Sequence, residues 1–301
     1  MTLTEEPIQF VKLSGSGNDH ICIDNRDGRF DPLLADPGRV GKFARMLCRR
    51  SLGIGGDGVI FACKPELSNV ADLGARFFEA DGSEAALCGN GTACFTRWAF
   101  DEAFVGDTTI HILTPAGIVR AERGKHGYVV VCIPSPQDMR QNLSLGVEGF
   151  AMSCDYVVTG VPHLVTYVED VNDIDIARLG PAIRHHRRFE PDGVNANFVQ
   201  VLDEGEIALR TWEFGVEGET LACGTGSAAS AILTTLRNDW PAEYRTHTKP
   251  VTVHARSGDL LRVYFRRNED GTVTDVCLET VVRFLFRGTI ADDLAREAVA
   301  T

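Results

Sequence analysis

Apolar and β-branched residues recur along this chain in short runs, many of them alternating with polar positions. In the first half they occupy residues 20–24, 58–62, 75–78, 109–113, 127–133 and 156–158. The pattern continues over 163–168, 197–202, 207–213, 251–255, 260–265 and 272–279. A period of two buries one face of a pleated segment, so these runs predict strands. Helical spacing is rarer and predicts helices over 37–49, 91–104, 171–185, 226–238 and 291–300. Strands scattered evenly, with one strong helix in each half, predict an α/β (α+β) fold. Its two sheets are antiparallel or mixed, each curled around a helix, rather than a parallel βαβ array. The stretch Ile133-Pro134-Ser135-Pro136 marks a boundary between the halves.

The central clue is an internal repeat. Glu84-Ala85-Ala86-Leu87-Cys88-Gly89-Asn90-Gly91-Thr92-Ala93 matches Glu219-Thr220-Leu221-Ala222-Cys223-Gly224-Thr225-Gly226-Ser227-Ala228, both reading Glu-x-x-x-Cys-Gly-x-Gly-[Ser/Thr]-Ala. Each copy closes a polar turn and opens an Ala-rich helix, whose first N–H groups have no partner within the helix. One such cysteine alone reads as a small buried residue at a tight turn; its repetition in both halves favours chemistry.

Length and composition agree with this reading. The 301 residues, 44% of them apolar, suffice for about two domains. A formal net charge of −12 disfavours binding nucleic acid through phosphates, and the longest basic run is His185-His186-Arg187-Arg188. A small-molecule substrate is the better expectation. Met1-Thr2-Leu3-Thr4-Glu5-Glu6 lacks the cationic and apolar regions of a secretory signal, and no apolar run approaches the roughly 18 residues of a membrane span. The expected address is therefore cytoplasmic, with no membrane partner. Nine scattered cysteines without zinc-like spacing predict reduced thiols, most of them buried, and no metal.

A helix N-terminus carries partial positive charge and N–H donors, so two of them could hold a substrate carboxylate, with Gly89, Gly91, Gly224 and Gly226 allowing close approach. The same field is expected to lower a thiol from about 8.5 toward neutrality. A thiolate on one face of an α-carbon and a thiol on the other form a minimal kit for inversion, with no cofactor. Without a pyridoxal ring to spread the carbanion's charge, the carboxylate cradle in a dry pocket must supply the stabilisation.

Several ordered motifs together resemble the diaminopimelate epimerase family. They begin with Phe10-Val11-Lys12-Leu13-Ser14-Gly15-Ser16-Gly17-Asn18-Asp19 and Gly53-Ile54-Gly55-Gly56-Asp57-Gly58. Ala80-Asp81-Gly82-Ser83-Glu84, Thr159-Gly160-Val161-Pro162-His163 and Gly193-Val194-Asn195-Ala196-Asn197-Phe198 follow, then the second cysteine motif and a closing strand near Val282-Arg283-Phe284-Leu285-Phe286. The resemblance implies two pseudo-symmetric halves with the last strand returning to the first: residues 1–134 plus 278–301 carrying Cys88, and 135–277 carrying Cys223. It implies a pyridoxal-independent epimerase of LL- and meso-diaminopimelate, serving lysine and peptidoglycan precursor synthesis, in enzymes that are often homodimers. By motif position, Cys88 and Cys223 match its acid/base pair, and Gly89, Asn90, Gly224 and Thr225 its carboxylate cradle. Asn18, Asn195 and Glu213 match substrate-contacting residues, and His163 one that lines the site. Taken alone, Asn18 and Asn195 read equally as turn formers and His163 as a structural histidine.

Two positions depart from the family. Its Asn-Ala-Asp-Gly-Ser is here Glu79-Ala80-Asp81-Gly82-Ser83, and its Glu-Arg-Gly is Glu213-Phe214-Gly215. The lost amide and guanidinium help grip the distal head of diaminopimelate. Either another arginine, such as Arg76 or Arg210, replaces that grip, or the substrate is another amino acid. Histidine, lysine, ornithine or arginine would suit, with Glu79 as counter-ion and Phe214 as stacking face. Four rival readings remain, one of them non-enzymatic: a binding module or oligomer building block whose cysteines only pack. Residues 53–58 fit Gly-x-Gly-x-x-Gly, but a helix precedes and a strand follows, the reverse of a dinucleotide site. No lysine sits in a pyridoxal-phosphate context. A proline-racemase-like enzyme would also use two thiols.

Overall fold

The computed structural model describes residues 6–299. Residues 1–5, read above for targeting, and residue 300, the end of the last expected helix, lie outside the described residues. The chain forms two compact units, one running through Val131 and resuming at Val282, the other spanning Cys132–Val281.

The first unit contains β1 (Ile8–Gly15), β2 (Asn18–Asn25), α1 (Asp31–Leu34), α2 (Pro37–Cys48), β3 (Gly58–Cys63), β4 (Leu73–Glu79) and the short β5 (Glu84–Ala85). After these come α3 (Gly89–Asp101), β6 (Thr109–Thr114), β7 (Gly117–Arg123) and β8 (Tyr128–Cys132). The second contains β9 (Gln137–Val147), β10 (Phe150–Val158), β11 (Pro162–Tyr167), α4 (Ile176–Arg184), β12 (Asn195–Asp203), β13 (Glu206–Glu213) and the short β14 (Gly218–Thr220). It continues with α5 (Gly224–Arg237), β15 (Val251–His254) and β16 (Leu260–Arg267). The long β17 (Val273–Ile290) begins in the second unit and ends in the first, where α6 (Asp292–Val299) follows.

Strand pairing reveals the duplication. In the first unit β17–β1 and β1–β2 are antiparallel, β2–β3 parallel, β3–β4 and β4–β5 antiparallel, β4–β6 parallel, and β6–β7 and β7–β8 antiparallel. In the second, β9–β10 and β10–β11 are antiparallel, β11–β12 parallel, β12–β13 and β13–β14 antiparallel, β13–β15 parallel, and β15–β16 and β16–β17 antiparallel. The order is the same, so each unit is a mainly antiparallel curled sheet.

The helix after each short strand fills its sheet. In α3 every residue from Asn90 to Phe100 is buried except Arg97, and α5 is buried from Gly226 to Thr235. Ala93, Cys94, Phe95 and Trp98 of α3 pack among Leu13, Ile60, Phe77 and Ile112; Ala228, Ala231 and Ile232 of α5 pack among Val165, Val199, Leu209 and Val263. A helix apolar all round is the kind that a sheet can enclose.

The expectation of reduced thiols is corrected at one pair. Cys132 and Cys277 form a disulfide with S–S 2.10 Å. Two residues 145 apart in sequence meet because the chain leaving β8 lies against β17, where the Ile133 amide donates to the Val276 carbonyl. Nothing in cysteine spacing signals that contact. Residues 53–57 lie between α2 and β3, helix before strand, as their sequence context implied. No helix among the described residues is long and apolar enough to cross a membrane.

Candidate active site

Each element of the repeated motif has a local structural cause. Glu84 binds Arg76 of β4 through Nε to Oε1 at 2.7 Å and Nη2 to Oε2 at 2.8 Å. Glu219 binds Arg210 of β13 in the same bidentate way, at 2.6 and 2.9 Å. Both arginines are further engaged by carbonyls, Arg76 with Leu34 and Arg210 with Val171 and Ile174. These are the two arginines considered for a distal grip, and each pins the turn before its own cysteine instead.

The cysteines are the N-caps of α3 and α5. Cys88 Sγ accepts the Gly91 amide at 3.3 Å, and Cys223 Sγ the Gly226 amide at 3.4 Å. The helices begin at Gly89 and Gly224, two residues earlier than apolar periodicity predicts, because glycine reads as turn in a sequence and here serves as the first helical residue. Thr92 Oγ1 donates back to the Cys88 carbonyl at 2.7 Å and Ser227 Oγ to the Cys223 carbonyl at 2.8 Å, which accounts for the Ser/Thr of the motif. The glycine between them is also required by the protein. A Cβ at Gly91 would lie 3.1 Å from Phe77 and 3.3 Å from Cys88 Sγ; at Gly226 it would lie 2.6 Å from Asn197 Oδ1. At 91 and 226, then, the room read above as space for a ligand is taken by the cysteine and its neighbours.

Around Cys223 the structure builds a directed hydrogen-bond chain. Asn197 Nδ2 can only donate, so His163 Nδ1 accepts it at 3.1 Å and the ring proton sits on Nε2. Nε2 then donates to Thr225 Oγ1 at 3.0 Å, leaving the hydroxyl hydrogen for Cys223 Sγ at 3.6 Å. Burial pushes His163 down to about 3, so the ring stays neutral. Cys223 is 4% exposed; burial and then the charge of Glu213 push its thiol upward, while Thr225 and the Gly226 amide oppose them. The expectation that the helix field would bring this thiol toward neutrality is therefore corrected: desolvation wins, and Cys223 rests as a protonated thiol.

Asn195, 1% exposed at the start of β12, donates to the Pro162 carbonyl at 3.0 Å and accepts the Phe214 amide at 2.7 Å, tying three segments together. Glu213 ends β13 and is half-buried; Phe214, next to it, is exposed. The guanidinium of Arg184, itself nearly buried, stacks 4.0 Å over the Phe214 ring and donates to Glu217 and to the Asp192 carbonyl. Sequence reasoning missed Arg184, though the tight turn at Gly193, where a Cβ would strike its Nη1 at 1.7 Å, is its trace in the chain.

In the first unit Asn18 opens β2 and donates to Asp57 Oδ2 at 3.1 Å. Asp57 also accepts the Asp19 amide, and Arg50 bridges both aspartates. Buried Lys12 pairs with Asp19 at 2.8 Å and donates to the Gly55 carbonyl. Glu79 ends β4, half-buried, and Cys88, Gly89 and Asn90 form the start of α3, with Asn90 buried. His20, which no motif flagged, places Nε2 3.8 Å from Cys88 Sγ. The other unbridged cysteines cap no helix: Cys22, Cys48, Cys94 and Cys154 are buried and Cys63 is partly exposed, all with thiols pushed upward by burial.

Comparison with known proteins places this geometry. A family profile described as "Diaminopimelate epimerase" matches residues 10–136 and 156–276. A diaminopimelate epimerase of Aquifex aeolicus is 39% identical over 95% of this chain and 99% of its own length. One of Methanocella arvoryzae is 37% identical over 86% of this chain and 90% of its own. Among solved structures, a phenazine biosynthesis protein of the PhzF family from Bacillus anthracis superposes with a TM-score of 0.71 at 15% identity, covering 95% of this chain and 99% of that one. A probable proline racemase from Agrobacterium radiobacter K84 superposes at 0.70 and 15%, covering 94% and 93%. These two share the fold. Twin cysteine-capped helices in duplicated sheets, together with matches of this length and identity, show that the chain belongs to the diaminopimelate epimerase family.

Proposed function

We propose that this protein interconverts LL- and meso-diaminopimelate without pyridoxal phosphate, using Cys88 and Cys223 as the acid/base pair. The observation that carries the reading is the repeated cap: each unit presents a cysteine sulfur at the N-terminus of its enclosed helix, in the same strand frame. One cysteine, as thiolate, takes the α-hydrogen as a proton, and the C–H electron pair stays on carbon, delocalised into the carboxylate. The other, as thiol, gives its proton to the opposite face. After one turnover the two sulfurs have exchanged protonation states, and the reverse reaction restores them. The resting thiol of Cys223 suits the donor role in one direction.

The N–H groups at Gly89, Asn90, Gly224 and Thr225 cradle the carboxylate, whose charge grows as the carbanion forms. Asn18 in the first unit, and Asn195, Glu213 and His163 in the second, are the polar residues that the family resemblance assigns to the substrate. Arg76 and Arg210 are engaged by glutamates, and Arg184, stacked under Phe214, is paired with Glu217 as well, so a distal carboxylate has to compete with Glu217 for it. That engagement is also what favours the second reading, a racemase of an amino acid with a cationic or aromatic side chain held by Glu79 and Phe214. The reading extends to a cytoplasmic homodimer acting on a free amino acid and not on nucleic acid; light scattering tests the dimer.

The experiment is α-hydrogen exchange in deuterium oxide, followed by NMR. Diaminopimelate should exchange, and Cys88→Ala or Cys223→Ala should slow turnover by about 10²–10⁴-fold with the fold intact. Exchange of histidine, lysine, ornithine or arginine without diaminopimelate would move the assignment to the second reading.

A further inference from the structure

The duplication extends beyond the cysteine turn. In the second unit His163 lies opposite Asn195, the first residue of the parallel strand β12, and the next pair along, Ala196 with Trp212, brings Glu213 beside Asn195. In the first unit His20 lies opposite Gly58, the first residue of the parallel strand β3, and Gly58 lies opposite Glu79. His20 and His163 thus hold equivalent strand positions, as do Glu79 and Glu213. His163 reaches its cysteine through Thr225. The equivalent of Thr225 in the first unit is Asn90, and there the imidazole goes straight to the sulfur, Nε2 to Sγ at 3.8 Å.

Gly58 makes this possible. A Cβ there would lie 3.2 Å from His20 Cδ2 and 2.8 Å from the Phe78 carbonyl oxygen, so the ring occupies space that a side chain would claim. His20 is 4% exposed; its Nδ1 makes no hydrogen bond of good geometry, the backbone of Asn18 being the polar group that bears on the ring. With the ring proton on Nε2, the unpaired atom is a lone pair rather than an orphaned N–H, the less common of the two defects.

We propose that His20 is a positioning residue for Cys88, donating its Nε2 hydrogen to the sulfur and steadying the thiolate form. Burial first, and then the charge of Lys12 on β1, push His20 down to about 4, with Asp19 and the backbone of Asn18 on β2 opposing. Its action at working pH is that of a neutral hydrogen-bond donor. It donates beside the Gly91 amide, as Thr225 donates to Cys223 beside the Gly226 amide.

The proposal rests on Cys88 being a catalytic thiol, but its test does not depend on turnover. Cys88, partly exposed, is alkylated with iodoacetamide across a pH series, and each cysteine is followed by peptide mass spectrometry. In His20→Leu the midpoint for Cys88 should rise by about one pH unit, slowing its alkylation at pH 7 about tenfold. His20→Gln, which keeps an N–H donor, should stay within about threefold of wild type, and Cys223 should be unaffected. An unchanged Cys88 profile in folded His20→Leu, or a glutamine variant as slow as the leucine one, overturns the proposal. Should the leucine variant not fold, ¹⁵N-histidine NMR of the otherwise intact protein decides: the His20 Nε2 resonance should shift in Cys88→Ala, and no shift is a refutation. Failure of every amino acid to exchange its α-hydrogen would sink the function and leave this contact standing.

Discussion

At the level of single residues, the chain from Asn197 through His163 and Thr225 to Cys223 bears on how a buried sulfur would serve as the base proposed for it. Desolvation and Glu213 favour the thiol, and the Thr225 hydroxyl is one of two donors that make the thiolate accessible. A hydrogen bond to a charged group contributes about 1.5–3 kcal/mol. Thr225→Val keeps the side chain's shape and removes the hydroxyl, so kcat/KM should fall about ten- to a hundredfold. Thr225→Ser should keep most of the activity. Both are read from initial rates of α-hydrogen exchange, and a valine variant with wild-type rates would show that the chain is only structural. The same comparison separates legible residues from hidden ones. The cysteines, glycines and Ser/Thr of the motif were visible because they recur, whereas Asn197, Arg184 and His20 act through strand register and packing that no local pattern encodes.

At the level of elements, the two helix N-termini differ in how tightly they are built. A methyl group at Gly226 meets the oxygen of Asn197, whose amide also bonds His163 and two carbonyls and accepts from Thr211. At Gly91 it meets the edge of Phe77 at 3.1 Å. Gly226→Ala should therefore cost about 1–3 kcal/mol and lower activity by displacing Asn197, with Gly91→Ala milder; urea unfolding of both variants tests the order, and equal losses would refute it. Strands with clean alternation were legible, and those that serve the site or the edge were not. β1 carries Lys12 inward to Asp19, which breaks the apolar pattern. β9 is largely exposed and polar, with Asp138 and Asn142 in left-handed conformation. The single helix expected over 171–185 is a short turn at Val171–Asp173 and then α4, because Ile174 is extended between them. Apolar periodicity ends a strand at 279, and the closing strand near 282–286 comes only from the family resemblance; the structure joins both in β17, which runs on to Ile290 and pairs with β1, a long-range contact invisible to a local window.

At the level of the whole molecule, the two buried histidines tie stability to pH. His20 and His163 titrate at about 4 and about 3 in the folded protein, both lowered by burial from 6.5. Above 6.5 each is neutral whether folded or not, and the stability associated with burying it is fully present. As pH falls below 6.5 the unfolded chain binds a proton at each ring while the native state does not, so stability is lost until the folded values are reached. Each histidine contributes a slope of about 1.4 kcal/mol per pH unit, or about 2.7 for the pair, once the unfolded rings are mostly charged. Urea unfolding at intervals from pH 7.5 to 4.5 should show stability falling toward acid. In His20→Leu the slope between pH 5.5 and 4.5 should be shallower by about 1.4 kcal/mol per unit, since one of the two proton-binding sites of the unfolded chain is gone. Parallel curves for wild type and variant would mean that His20 is protonated in the native state, and the neutral donor assigned to Cys88 would go with it.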